Sequence, residues 1–232
     1  IWFEQSNQNK NIFKRWYLNI QAERLKNEEI KFWNNIDSIL SISETDRSHI
    51  IKQCPTPTHT LSLHIKKRHL QHNDQSTKVD FFHLGAMDWL PNQDGMNWIL
   101  KDVFPKVKQT EKSAEIHLAG RAMPNKLKSH IQDGYYNHGE VSNAIDFMSK
   151  HKVMLVPLFT GSGIRVKIIE GMSLGKCIIS TRIGVKGINC TNNKNILIAN
   201  TENEFIKAMC FCIQNPDKVN EIGNEAKKYA LE

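Results

Sequence analysis

Long apolar stretches are missing from this chain. No run approaches the roughly 18 residues that a membrane-spanning helix needs. Glycine and proline are sparse, 12 and 7 among 232 residues, which excludes a collagen-like repeat and a disordered low-complexity tail. Cysteine is too scarce for a disulfide-built miniprotein. Cys54, Cys177, Cys190, Cys210 and Cys212 form an odd set without regular spacing, which fits reduced thiols and a cytosolic setting. The chain opens with Ile1-Trp2-Phe3-Glu4, with no initiator Met and no signal-peptide pattern. A strong excess of either charge sign is also lacking. Lys and Arg number 31 against 24 Asp and Glu, a formal charge of +7. That balance favours an anionic partner (a phosphate, an anionic membrane surface or a nucleic acid) without choosing among them. What is present suffices for a core. Forty per cent of the residues are hydrophobic, and the length suits one large domain or two small ones.

The first third does not read as self-sufficient. Phe13, Trp16, Tyr17, Ile20 and Leu25 predict a helix over about residues 10–33, with Trp16 and Tyr17 at core spacing. Residues 37–43 read as a short strand, and Ser43 with Asp46 is a capping-type start for a helix over 44–52. Cys54-Pro55-Thr56-Pro57 ends that helix, and residues 58–64 read as one more short strand. Two aromatic-rich helices and one or two strands do not close a core. Residues 1–74 therefore read as the remnant of a domain whose earlier part lies outside this chain, ending in a polar, aperiodic linker over 65–77. The closing helix likewise reads as cut near Glu232.

From Lys78 the pattern changes to strand, helix, strand, helix. Strands are predicted at 79–85, 114–119, within 135–141, and at 152–158, 176–180 and 195–199. Helices are predicted at 93–108, 143–151, 164–174 and 202–213. The run Val153-Met154-Leu155-Val156 is apolar throughout, as a strand buried on both faces of a parallel sheet must be. Alternation of this kind implies right-handed crossovers and an α/β doubly wound parallel sheet over 75–232. Ligands of such sheets sit at the carboxyl ends of the strands, where Gly85, Gly120, Gly161, Gly163 and Gly184 fall.

The segment Pro157-Leu158-Phe159-Thr160-Gly161-Ser162-Gly163-Ile164-Arg165-Val166-Lys167-Ile168-Ile169-Glu170 carries the chemistry. A buried strand enters a small-residue loop, and the loop opens a helix whose first N–H groups are unpaired and carry about half a positive charge. Arg165 and Lys167 add two cations to that first turn, where cations are ordinarily disfavoured. An anion docking there, a diphosphate in particular, resolves the conflict. The other reading is an ordinary crossover helix, with Ile164, Ile168 and Met172 facing the sheet and Lys167 paired to Glu170. Spacing alone leaves both open.

The stretch from Gly161 through Arg165, Lys167, Glu170 and Gly175 to Thr181 closely resembles the donor-binding signature of retaining GT-B glycosyltransferases, the large group that includes glycogen and sucrose synthases. Phe82-His83-Leu84-Gly85-Ala86-Met87-Asp88-Trp89-Leu90-Pro91-Asn92 is similar to the opening of the C-terminal domain in a bacterial branch serving surface-polysaccharide assembly. Leu118-Ala119-Gly120-Arg121 and Gly139-Glu140-Val141 follow in the family's order. The early stretch with Trp16-Tyr17-Leu18 and Ile39-Leu40-Ser41-Ile42-Ser43 resembles the end of its N-terminal domain.

The resemblance implies a GT-B fold of two Rossmann-like domains, the first incomplete here. It implies transfer of a sugar from a nucleotide diphosphate to an acceptor hydroxyl with retention. Arg165 and Lys167 would be the catalytic pair that neutralises the diphosphate. Glu170 would bind the ribose, Thr160, Gly161, Ser162, Gly163 and Ile164 would border sugar and phosphates, Gly85 would admit the diphosphate, and Gly139 and Val141 would lie near the base. No cofactor or metal is implied. The donor would be a UDP-, GDP- or ADP-sugar and the acceptor a glycan or lipid-linked glycan. The setting would be the cytoplasm, at the inner membrane face where the acceptor is membrane-borne. Nucleic acid is not an expected partner, and the isolated chain would bind donor weakly and transfer nothing. Two positions depart from the family. Ser162 stands where many members carry a first glutamate, and Lys186 stands where an acid is common, so sugar specificity is not carried over.

Several motifs weigh less. Gly171-Met172-Ser173-Leu174-Gly175 matches a hydrolase elbow, but strand and helix are in the reverse order. Gly161-Ser162-Gly163 lacks the third glycine of a dinucleotide turn. Cys210 with Cys212, and His64, His69 and His72, lack zinc-site spacing. The rival function is a basic nucleic-acid- or anionic-surface-binding module without catalysis, resting on residues 64–69 and on Lys10, Lys14, Arg15 and Lys26.

Overall fold

A computed structural model describes residues 11–61, 78–161 and 163–232. The predicted linker, the basic run at 64–69 and Ser162 lie outside the described residues. By its contacts the chain forms two compact units. Among the described residues, the first comprises 11–61 together with the turns 160–164 (Ser162 aside) and 186–188, and the second comprises 78–159, 165–185 and 189–232.

In the first unit, helix α1 (Ile12–Asn34) starts where the Asn11 side-chain oxygen accepts from the Lys14 N–H at 3.2 Å. Strands β1 (Ile39–Ser41) and β2 (Thr58–Thr60) pair in parallel, with Ile39 opposite Thr58. Between them lies α2 (Glu44–Ile50), capped as predicted by Ser43, whose hydroxyl oxygen accepts from the Asp46 N–H at 2.9 Å. One expectation is corrected. Trp16 and Tyr17 do not enter a core; they are 64% and 55% exposed, with Phe13 at 83%. Ala22 is the one residue of α1 that is buried. Phe13, Trp16, Tyr17 and Ile20 share one face, but Leu25 and Phe32 lie off it and are exposed as well.

The second unit is a six-stranded, all-parallel sheet in the order β5-β4-β3-β6-β7-β8. Its strands are β3 (Phe81–Leu84), β4 (Ile116–Ala119), β5 (Tyr135–Gly139), β6 (Val153–Val156), β7 (Cys177–Ser180) and β8 (Leu197–Ile198). Each is a little shorter than its apolar pattern. Alternation along β3 turns Phe81 and Phe82 to opposite faces, and both are fully buried. Phe81 joins a core with Ile116, Leu155 and Ile179 that is covered by the segment around Met96 and Ile99 and by Phe205. Phe82 faces the other side and meets Phe147 edge-on at 6.0 Å. Helices thus cover both faces, as the near-continuous apolar strands require.

The helix expected over 93–108 runs from 90 to 110 in three pieces. These are α3 (Leu90–Trp98), a π-helical turn (Ile99–Val103) and α4 (Phe104–Thr110). Pro105 explains the wide turn. It has no N–H to donate one turn back, and the chain opens so that the Phe104 N–H reaches the Ile99 carbonyl. The remaining helices are α5 (Asn125–Lys128), α6 (Ala144–Ser149), α7 (Val166–Ser173), α8 (Glu202–Gln214) and α9 (Pro216–Leu231). Helix α7 begins two residues later than expected, so Arg165 occupies the capping position before the first turn rather than the turn itself. Ser173 closes α7 ahead of β7, opposite to the order a hydrolase elbow needs.

Candidate functional site

The carboxyl ends of β3, β4 and β5 are held unusually close. Gly85 follows β3 and donates its N–H to the Ala119 carbonyl at 3.2 Å. Gly120 follows β4 and donates to the Gly139 carbonyl at 2.7 Å. A Cβ on Gly120 would lie 1.8 Å from the Gly85 carbonyl oxygen, so this approach of two backbones demands glycine. Val141, two residues beyond Gly139, is half-buried.

Helix α7 delivers a cation to this row. Its apolar residues Ile168 and Met172 are fully buried, as the crossover-helix reading expects, and that packing fixes the direction of Lys167. The Lys167 ammonium donates to Asn92 Oδ1 at 2.9 Å and lies 3.5 Å from His83 Nε2. The Asn92 amide is oriented by its own donation from Nδ2 to the Ala86 carbonyl at 2.9 Å. His83 is buried within β3, and its Nδ1 lies 2.8 Å from the Leu155 carbonyl. A carbonyl only accepts, so Nδ1 carries the proton and Nε2 turns a lone pair toward Lys167. A Cβ on Gly85 would sit 3.1 Å from the Lys167 nitrogen and 2.7 Å from Asn92 Nδ2. The glycine therefore keeps the space beside the ammonium clear.

Burial, and after it the neighbouring Arg165, pushes the Lys167 pKa down to about 7. Burial, and then Lys167, holds His83 well below its ordinary value, against its bond to Leu155. Arg165 is 7% exposed, and its guanidinium stands 5.3 Å from the centre of the Trp89 ring, a cation–π distance. Lys167 does not pair with Glu170; among the described residues it reaches across to Asn92 instead, and Glu170 is exposed. The structure thus gathers Gly85, Arg165 and Lys167 in one cradle, with Gly139 in the adjoining row. Thr160, Gly161, Gly163 and Ile164 belong by their contacts to the first unit. Within that unit Gly163 lines a cleft of about 230 Å³ with Ser43, Thr45, Asp46, His49, Lys186 and Gly187.

His83, Asn92 and Trp89 were not singled out by the sequence. A histidine inside an apolar strand was the available signal, since a buried imidazole needs partners. Away from the cradle, His117, His138 and His151 come together from separate segments and are the described residues able to hold a metal ion.

A six-stranded parallel sheet with helices on both faces is the kind of domain from which a GT-B fold is built. The chain belongs to the family described as glycosyl transferases group 1, whose model matches residues 78–215. It is 24% identical over 240 residues to an uncharacterized 44.6 kDa protein in the cps region of Klebsiella pneumoniae, covering 97% of this chain and 60% of that protein. It is similar in fold to an S. aureus TarM variant solved with fondaparinux, α-GlcNAc-glycerol and UDP. That match has a TM-score of 0.74 and 18% identity, over 88% of this chain and 42% of that one. It is also similar to Anabaena HepE solved with UDP and glucose, at a TM-score of 0.68 and 12% identity, over 87% of this chain and 60% of that one. The chain therefore spans about half the length of such relatives. No helix among the described residues is long and apolar enough to cross a membrane.

Proposed function

We propose that this chain is the donor-binding part of a retaining glycosyltransferase that moves a sugar from a nucleotide diphosphate to an acceptor hydroxyl in glycan or surface-polysaccharide assembly. Residues 75–232 form the donor domain, and residues 1–74 belong with the acceptor domain. In the reaction the bond from the anomeric carbon to the diphosphate breaks, and its electron pair passes to the β-phosphate oxygen. The acceptor oxygen bonds that carbon and passes its proton to the leaving diphosphate. The charge gathered on the leaving diphosphate is what Lys167 and Arg165 are placed to stabilise. Thr160 to Ile164 would border the sugar and phosphates, Glu170 would accept from the ribose, and Gly139 and Val141 would flank the base.

One observation carries this reading. A half-buried lysine beside a glycine row, with neutral partners among the described residues and a second cation nearby, is electrostatically incomplete until an anion arrives. Relatives solved with UDP lend it support. The test is a thermal-shift panel of UDP, GDP, ADP and their sugars. A ligand at a hundred times its Kd adds about 2.7 kcal/mol of stability. Lys167→Ala is expected to abolish the shift. A shift that survives undiminished, or steep salt-dependent binding of oligonucleotides with no response to any nucleotide, overturns the proposal.

A further inference from the structure

At the far ends of β3 and β6 from the cradle, three histidines meet. His117 is on β4, His138 is on β5, and His151 precedes β6. One ring nitrogen from each lies within 4.8 Å of the other two. We propose that these three imidazoles form a divalent-metal site, zinc by preference, that staples the edge strand β5 to β4 and to the turn entering β6.

The geometry is close to what zinc needs. Zn–N bonds of about 2.0–2.1 Å in a tetrahedron set ligand nitrogens roughly 3.3–3.4 Å apart. His117 Nδ1 and His138 Nε2 already stand 3.0 Å apart. The widest gap of 4.8 Å must close by about 1.4 Å, and the His117 ring, stacked on His151 at 4.2 Å, must turn about its side-chain torsions for the lone pairs to converge. Without an ion the cluster is short of protons, because two facing imidazole nitrogens share only one. With an ion, each lone pair has a partner.

The surroundings are those of ligating histidines. Asp80 Oδ2 accepts from His151 Nδ1 at 2.5 Å, and Asp80 Oδ1 accepts from the Lys152 N–H at 2.8 Å. A carboxylate on the non-ligating nitrogen fixes the tautomer and ring plane, and it leaves Nε2 of His151 for the metal. The same Asp80 oxygen is 3.7 Å from His117 Nε2, and a Glu115 oxygen is 3.9 Å from it, so negative charge surrounds the cluster. Phe147 closes the apolar side, its ring 4.7 Å from His151 and 5.2 Å from His138.

The backbone is also bent to bring His138 in. Leu118 pairs with Asn137 and Ala119 with Gly139, so His138 is the extra residue of a bulge, a device that re-aims a side chain. His138 is exposed while His151 is buried. The ion thus has an entry path and a fourth position for water. Sequence spacing hid this set because its members lie 21 and 13 positions apart, on three elements that only the sheet order joins.

The experiment uses the whole 232-residue chain, free of any histidine tag and stripped of metal. Co²⁺ is titrated and read by its visible absorption, and Zn²⁺ is then added as competitor. The expected result is one ion per chain, the intense spectrum of a tetrahedral nitrogen site, and displacement by zinc. His138→Ala removes an exposed ligand and is expected to weaken binding at least tenfold with unchanged circular dichroism. Asp80→Asn, acting through His151, is expected to weaken it 10–100-fold. His130→Ala, outside the cluster, should change nothing. A weak octahedral spectrum, or cobalt affinity equal in the parent and His138→Ala, overturns the site.

Discussion

A lysine that loses water on burial and faces an arginine either sheds its proton or binds an anion. Lys167 stands at that choice, with its pKa pushed down to about 7 from an unfolded value of 10.5. Its folded pKa is the lower one, so between about pH 7 and 10.5 the unfolded chain binds more protons. Stability from this group is therefore complete above pH 10.5 and is lost as pH falls toward 7, at about 1.4 kcal/mol per unit of displacement. Lys167→Met, which keeps the bulk and removes the charge, should be more stable than the parent in urea at pH 6. The gain should shrink by pH 9.5, while nucleotide binding is lost at both. Parallel curves at the two pH values would show that burial does not strain this ammonium. Binding of a nucleoside diphosphate at pH 8.5 should take up close to one proton per site, read by calorimetry in buffers of different ionisation enthalpy. The cation itself was legible from its place after a glycine turn. Its partners were not, because Asn92 and His83 lie 75 and 84 positions away and meet it only through the sheet.

Between elements, the decisive contact is made by backbone. Gly120 presses on the Gly85 carbonyl with no side chain able to rotate aside. Gly120→Ala is expected to cost about 2–3 kcal/mol in urea unfolding and to weaken nucleotide binding with it, because the two strand ends must part and carry Gly85 off Lys167. By contrast Thr201→Ala, which removes one half of the capping box at the start of α8, should cost about 1 kcal/mol and leave binding untouched. Equal costs in the two variants would deny the glycine row its special role. Apolar runs and caps made most elements readable in advance; Val153 to Val156 and Ser43 are the clearest cases. Two features escaped for physical reasons. The π turn answers a proline whose effect depends on what the helix packs against. The bulge at His138 is a register event between strands, invisible along one of them.

At the scale of the molecule the two units differ in how much water they exclude. The sheet unit buries full-length strands, Phe81, Phe82, Phe104 and Phe205 being inaccessible. The first unit has strands of three residues, and its buried apolar residues are Ala22, Ile50, Cys54 and Ile188. Helical spacing made α1 read as a core helix, yet spacing describes only one partner of a contact, and the described part of this unit does not supply the other. Local opening free energies follow buried apolar contact. Hydrogen exchange should therefore separate the units. Amides of β1, β2 and α1 are expected to exchange through local opening at least a hundredfold faster than those of β3, β6 and β7, and to do so without denaturant. Saturating nucleotide should slow the β3 and β4 ends and the first turn of α7 further. Uniform protection across both units would mean that the exposed stripe of Phe13, Trp16 and Tyr17 is covered in solution, and the thin first unit would then owe its stability to that cover.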